Sequence, residues 1–186
     1  MEFLFVEGLA GVGKTFVILT MRNITRKIEG RNSADMATAP TGCAASLIHG
    51  QTTYRASNLP CGPALQVAPS NSANLGANQL KVMRHVHSGI VLRTKDEHSM
   101  DGRALWGWLE HRTREFRQTC HTVDEEMNVI ACDFESPHPQ AVLQMPWAGL
   151  PKLAFFGDHA QLPNIGQKRF MQRLPETQVP PMLMVR

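Results

Sequence analysis

The sequence predicts an α/β domain with a mainly parallel sheet flanked by helices. Three observations predict it. Short apolar runs end at glycines, the segments between them carry apolar residues at helical spacing, and the two kinds of segment alternate along the chain. At 186 residues and 42% hydrophobic content, the chain is read as one generous domain with a core of its own rather than as two.

Phe3-Leu4-Phe5-Val6 is a compact apolar run that stops at Gly8, as a buried strand does. From Lys14 the period changes. Val17, Met21, Ile24 and Ile28 recur at helical spacing, Arg22, Arg26 and Lys27 lie off that stripe, and Gly30 ends it. Met36 to Ala39 reads as a second strand, broken by Pro40 and Gly42. Residues 57–79 are rich in Pro, Ser, Asn, Ala and Gly with little to bury, and residues 80–102 show no clear period. The whole of 57–102 is therefore expected to be an insertion or flexible region. A helix is expected over Arg103–Arg117, with Leu105, Trp108, Leu109 and Phe116 on one face and Glu110 four residues before Arg114. Cys120–Val123 is a poor strand and Leu153 to Phe156 a good one. The expected division is a domain over 1–165 and a proline-containing tail over 166–186.

Composition excludes several classes. A net charge of +3 and a pI near 8.8 are a mild lean, not a nucleic-acid-binding composition. The four cysteines form no C-x-x-C pair, so neither a disulfide framework nor a zinc ribbon is suggested. His85, His87 and His98 have no ligand partners at metal spacing. No basic leader and no apolar run long enough to span a membrane are present, and the chain reads as intracellular.

One motif carries specific chemistry. Gly8-Leu9-Ala10-Gly11-Val12-Gly13-Lys14-Thr15 matches G-x-x-x-x-G-K-[ST] between an expected strand and an expected helix. Glycines let successive N–H groups turn inward on phosphate oxygens, and the helix start adds the positive end of its dipole. Lys14 is placed to reach β- and γ-phosphates, and the Thr15 hydroxyl to ligate Mg²⁺. The candidate nucleotide-binding set is Gly8, Gly11, Val12, Gly13, Lys14, Thr15 and Phe16.

Such a loop needs acids for metal and water. Val123-Asp124-Glu125 supplies a candidate pair, with Asp124 for the metal and Glu125 for the attacking water; a solvated acidic turn is the alternative. Gly157-Asp158-His159-Ala160-Gln161-Leu162-Pro163 follows an apolar strand, where parallel sheets gather their chemistry, and Gln161 could sense a γ-phosphate.

In combination these blocks resemble the first motor domain of the PIF-type and RecD-like DNA helicases of superfamily one. Residues 3–15 look like motif I, and Ala39-Pro40-Thr41-Gly42-Cys43-Ala44-Ala45 through Gly50-Gln51-Thr52 looks like motif Ia. Val123-Asp124-Glu125 looks like motif II, and 157–163 looks like motif III. The resemblance implies a RecA-like P-loop NTPase domain that binds ATP with Mg²⁺ and moves 5′ to 3′ along single-stranded DNA. It implies DNA contacts at Pro40, Thr41, Gly42 and Thr52, and catalytic work by Lys14, Glu125 and Gln161. It also implies a DNA-repair, recombination or telomere setting, nuclear in a eukaryote.

The pattern is departed from in places. The family follows its acid pair with a small-residue–Met pair, where this chain has Met127-Asn128, and Tyr54 stands where a His is usual. Only 23 residues follow Pro163, so the second RecA-like domain, with its arginine and remaining DNA motifs, is expected from a longer chain or a partner. The expected product is a motor domain incomplete for unwinding. Two rival readings are a small P-loop nucleotide kinase and a degenerate module that grips nucleic acid or a partner without turnover. Arg112, Arg114 and Arg117 read as a solvated helix face, Trp108 as core, and Trp106 as either core or a base-stacking platform.

Overall fold

The structure is a computed structural model, and it describes residues 1–67, 69, 75–123, 126, 128–158 and 183–185. Chain order gives β1 Glu2–Glu7, α1 Lys14–Glu29, β2 Asp35–Ala39, α2 Gly42–Leu47, β3 Gln51–Thr52 and α3 Thr53–Ser57. It continues with α4 Ala77–Ser88, β4 Leu92–Lys95, α5 Arg103–Arg117, β5 Cys120–Val123, β6 Val129–Phe134, α6 Gln140–Leu143, β7 Lys152–Gly157 and β8 Leu183–Val185.

Six strands form one sheet in the order β3-β2-β4-β7-β1-β8, every adjacent pair parallel. The side-chain period of two sorts each strand between two cores. Phe5, Leu153 and Phe155 point to one face, where Leu105, Trp106, Trp108 and Leu109 of α5 cover them. Ala37, Ala39, Leu92, Ala154 and Phe156 point to the other, under Ile18 of α1 and Ala44 and Ala45 of α2. Helices on both faces of a parallel sheet are the α/β architecture expected from the alternation.

Several expectations need correction. The stretch 57–102 is not an insertion throughout, because it holds the 12-residue helix α4 and the strand β4, which lies inside the sheet between β2 and β7. The strand before Asp124 is real, but β5 pairs antiparallel with β6 in a separate two-stranded sheet. Three residues of the expected tail pair with β1 as β8. Trp106 is core, its ring centroid 4.6 Å from that of Phe155.

Arg112 and Arg117 form no solvated face either. Arg112 is buried, paired with Glu115 and set over the Trp108 ring. Arg117 is buried and donates to the carbonyls of Ala148, His87 and Ile90. Only Arg114 behaves as a surface residue, pairing with Glu110 along the helix.

Candidate nucleotide and DNA-strand sites

The phosphate loop joins β1 to α1, and its shape depends on glycine. Gly11 and Gly13 have φ of 80° and 95°, a left-handed backbone that glycine adopts without steric cost. Gly13 caps α1, so the first N–H groups of a 16-residue helix open toward the loop. Gly8 N–H donates to Gly157 O at 3.1 Å, tying the start of the loop to the end of β7. The Lys14 ammonium donates to Gly8 O at 2.6 Å and Leu9 O at 2.8 Å, across the mouth of the loop.

A cleft of about 310 Å³ opens there, lined by Gly11, Gly13, Lys14, Thr15, Ala44, Leu47, Asp96, Glu97, Gly157 and Asp158. Of the expected nucleotide set, Gly11, Gly13, Lys14 and Thr15 line it. Val12 and Phe16 are exposed outside it. A larger cavity of about 440 Å³, lined by Arg22, Asp35, Met36, Gly50 and Ile90 among others, lies by the starts of β2, β3 and β4. That is the opposite end of the strands from the one where parallel sheets place their chemistry.

Asp96 and Glu97 follow β4 directly and lie outside the acid pair expected from the sequence. Asp96 is buried, and its Oδ1 accepts the Glu97 N–H at 3.0 Å. Burial raises the Asp96 carboxyl above its ordinary range, against the opposing pull of that N–H and of the Lys14 charge. Burial and then the charge of Asp96 raise Glu97, with Lys95 and Lys14 opposing. Glu97 is held at φ 53°, ψ 38°, a conformation non-glycine residues rarely take and one that concentrates at functional sites. His98, next in the chain, has Nε2 2.7 Å from Glu7 Oε1, so the acid-bearing turn leans on the strand that feeds the phosphate loop. Gly157 makes room for it, since a Cβ there would lie 2.7 Å from His98 Nε2.

Asp124, Glu125 and Gln161 lie outside the described residues. Among the described residues, the adjacent acid pair at the carboxyl end of the sheet beside Lys14 is Asp96-Glu97. The sequence holds a signal for it: Ser99-Met100, one residue past Glu97, is the small-residue–Met pair of the family pattern. Arg93 and Lys95 hide the strand, because two cations in four residues break an apolar run. Asp158 is buried and lines the cleft.

The motif Ia residues gather at the neighbouring strand ends. Pro40 links β2 to α2, and the Thr41 hydroxyl caps α2 by accepting the Ala44 N–H at 3.2 Å. Gly42 and Thr52 line one open groove of about 420 Å³ with Ala45, Ser46, His49, Gly50, Gln51 and Arg55. The Thr52 hydroxyl in turn caps α3. Among the described residues no cluster of three or more His, Cys, Asp or Glu could hold a metal by itself, and no helix is long and apolar enough to cross a membrane.

A family model described as PIF1-like helicase matches residues 1–173. No curated protein matches the chain. Among solved structures, Bacteroides Pif1 bound to ssDNA is 22% identical with a TM-score of 0.60, the match covering 89% of this chain and 30% of that one. Bacteroides Pif1 with ADP-AlF3 and ssDNA is 23% identical at a TM-score of 0.60, with 90% and 30% covered. Pif1 helicase from Candida albicans is 20% identical at a TM-score of 0.57, with 88% and 30% covered. At these identities the likeness is one of fold, and the chain spans less than a third of the length of each of these three.

Proposed function

Since the chain belongs to the PIF1-like helicase family, we propose that it is the first motor domain of an ATP-dependent DNA helicase, binding ATP with Mg²⁺ in the loop cleft and single-stranded DNA in the adjacent groove. One observation carries this reading: Lys14, Thr15, Asp96, Glu97 and Asp158, brought from three separate strand ends, line a single cleft. Family membership sets aside the small-kinase alternative.

In this reading the loop N–H groups and Lys14 hold the β- and γ-phosphates, Lys14 leaving the loop carbonyls to do so. The donor set fits Mg²⁺, which favours hard oxygens and takes one or two carboxylates together with substrate phosphates. Thr15 and Asp96 would hold it, and when bound it neutralises charge on the phosphates. Glu97 orients the attacking water and takes its proton; its raised carboxyl pKa makes it a better base than an ordinary surface glutamate. Asp96 and Glu97 thereby take the roles that the resemblance alone would give to Asp124 and Glu125. Gln161 keeps its proposed sensing role by resemblance.

Pro40, Thr41, Gly42 and Thr52 are proposed as DNA contacts, with His49 and Arg55 added because they line the groove together with Gly42 and Thr52. A second RecA-like domain, in a longer chain or a partner, would complete the ATP site and permit 5′ to 3′ movement. An intracellular setting, nuclear in a eukaryote and tied to repair, recombination or telomere maintenance, belongs to the same reading.

The test is a fluorescent-nucleotide titration in Mg²⁺. Lys14→Ala should weaken binding by more than about tenfold, as expected when a charge-assisted phosphate contact worth roughly 1.5–3 kcal/mol is lost. Unchanged affinity overturns the proposal.

A further inference from the structure

Strand β4 carries two cations on one of its buried faces. Arg93 and Lys95 stand two apart on that face, 3% and 2% exposed. Opposite them, α3 presents Thr53 and Ser57, four apart and both buried. Two residues of strand advance about 6.6 Å and four of helix about 6 Å, so the two rows meet rung for rung. Lys95 Nζ donates to Thr53 Oγ1 at 2.9 Å, and Arg93 donates to Ser57 Oγ and, at 2.9 Å, to Thr113 Oγ1 of α5.

Lys95 has a second partner, Asp101 Oδ2, at 2.9 Å. These two residues flank the acid-bearing turn, one just before Asp96 and the other just after the 3₁₀ turn His98–Met100. Their ion pair closes the base of that turn. Within it, Met100 N–H donates to Glu97 O at 3.1 Å and Asp101 N–H to His98 O at 3.0 Å. The same ammonium thus holds the loop that presents Asp96 and Glu97 and the first residue after Thr52 in the groove. A buried ion pair is weak grounds for stability, since apolar residues of similar volume often do as well. Its position between two sites is the informative feature.

We propose that Lys95 is a positioning residue that couples DNA-strand engagement at the Thr52 groove to the placement of Asp96 and Glu97, through Thr53 on one side and Asp101 on the other. This rests on the helicase-motor reading above. A strand that draws on Thr52 moves the start of α3, and Thr53 passes that displacement to the ammonium that fixes the acid turn.

The experiment measures fluorescent-nucleotide affinity in Mg²⁺ with and without saturating oligo(dT), and oligo(dT) affinity with and without nucleotide. Reciprocity requires both routes to give one coupling factor, and about fivefold or more is expected for the native chain. Thr53→Val keeps the shape and removes the hydroxyl; it should reduce the factor below about twofold while each ligand alone binds within about twofold of native. Thr53→Ser should restore it. Ser57→Ala removes the neighbouring rung, which does not touch the acid turn, and should keep the coupling. Full coupling in Thr53→Val, equal loss in Ser57→Ala, or no coupling in a native chain that binds both ligands would overturn the inference and leave the functional reading standing. A native chain that binds no nucleotide would overturn both.

Discussion

His87 is 2% exposed, its Nε2 3.1 Å from Ala56 O and its ring tilted against that of Phe116 at 4.7 Å. Burial, reinforced by the Arg93 charge, lowers its pKa to about 3. A histidine depressed in the fold contributes stability that is fully present above its unfolded pKa near 6.5 and is lost as pH falls toward 3. At pH 5 that loss is about 2 kcal/mol by the usual 1.36 kcal/mol per pKa unit. The raised carboxyls of Asp96, Glu97 and Asp101 act in the opposite sense, taking up protons more readily in the folded state. Comparing native and His87→Gln by urea unfolding between pH 7 and pH 5 isolates the histidine, and the variant should lose about 2 kcal/mol less over that range. A second residue-level prediction concerns the acids. Glu97→Gln should leave nucleotide affinity within a few-fold and lower phosphate release by about 10²–10⁴, whereas Glu125→Gln should change release less than about twofold. The reverse pattern would return the water-activating role to Glu125.

At the level of elements, the parts with a clean period are legible in the sequence itself. Strand β1 and helix α5 lie where Phe3 to Val6 and the Leu105–Phe116 face put them, and α1 spans the expected residues. The core face of α1 is not the expected stripe, however: Val17, Ile24 and Ile28 are exposed, while Ile18 and Arg22, the latter paired with Asp35, are buried. The phosphate loop is legible because its chemistry is local to eight residues. Strand β4 is not, since Arg93 and Lys95 are buried by partners distant in sequence, Ser57, Thr53 and Thr113. Periodicity hides the acid pair with it, and the local mark that remains is Ser99-Met100, one residue past Glu97. Arg112 and Arg117 mislead for the same reason, since no periodicity announces a guanidinium that serves distant backbone carbonyls. Arg117 joins the end of α4, the approach to β4 and the 3₁₀ turn before β7. Arg117→Met should strand buried carbonyls and cost about 2–3 kcal/mol. That amounts to about 5–10 °C in a thermal melt of a domain this size. A shift under 1 °C would mean that water replaces the guanidinium without loss.

For the whole molecule, the net charge of +3 and a groove with one arginine among its described lining residues imply weak electrostatic attraction to DNA. Single-stranded DNA binding should therefore depend little on salt, with a log–log slope of roughly −1 given about −0.7 per phosphate neutralised. Arg55→Ala should flatten the slope further, and a slope steeper than about −3 would place the main DNA surface elsewhere. The three Pif1 structures compared are about three times as long as this chain. The cations of β4 also bear on a stage before any ligand is met. Parallel strands pair late, because their partners are far apart in sequence, and an apolar central strand left waiting is a template for intermolecular pairing. Ile90-Val91-Leu92 is such a segment, and Arg93 and Lys95 follow it at once. In the unfolded chain they are gatekeepers, charges whose mutual repulsion keeps copies of this strand from stacking, until α3 and α5 arrive to accept them.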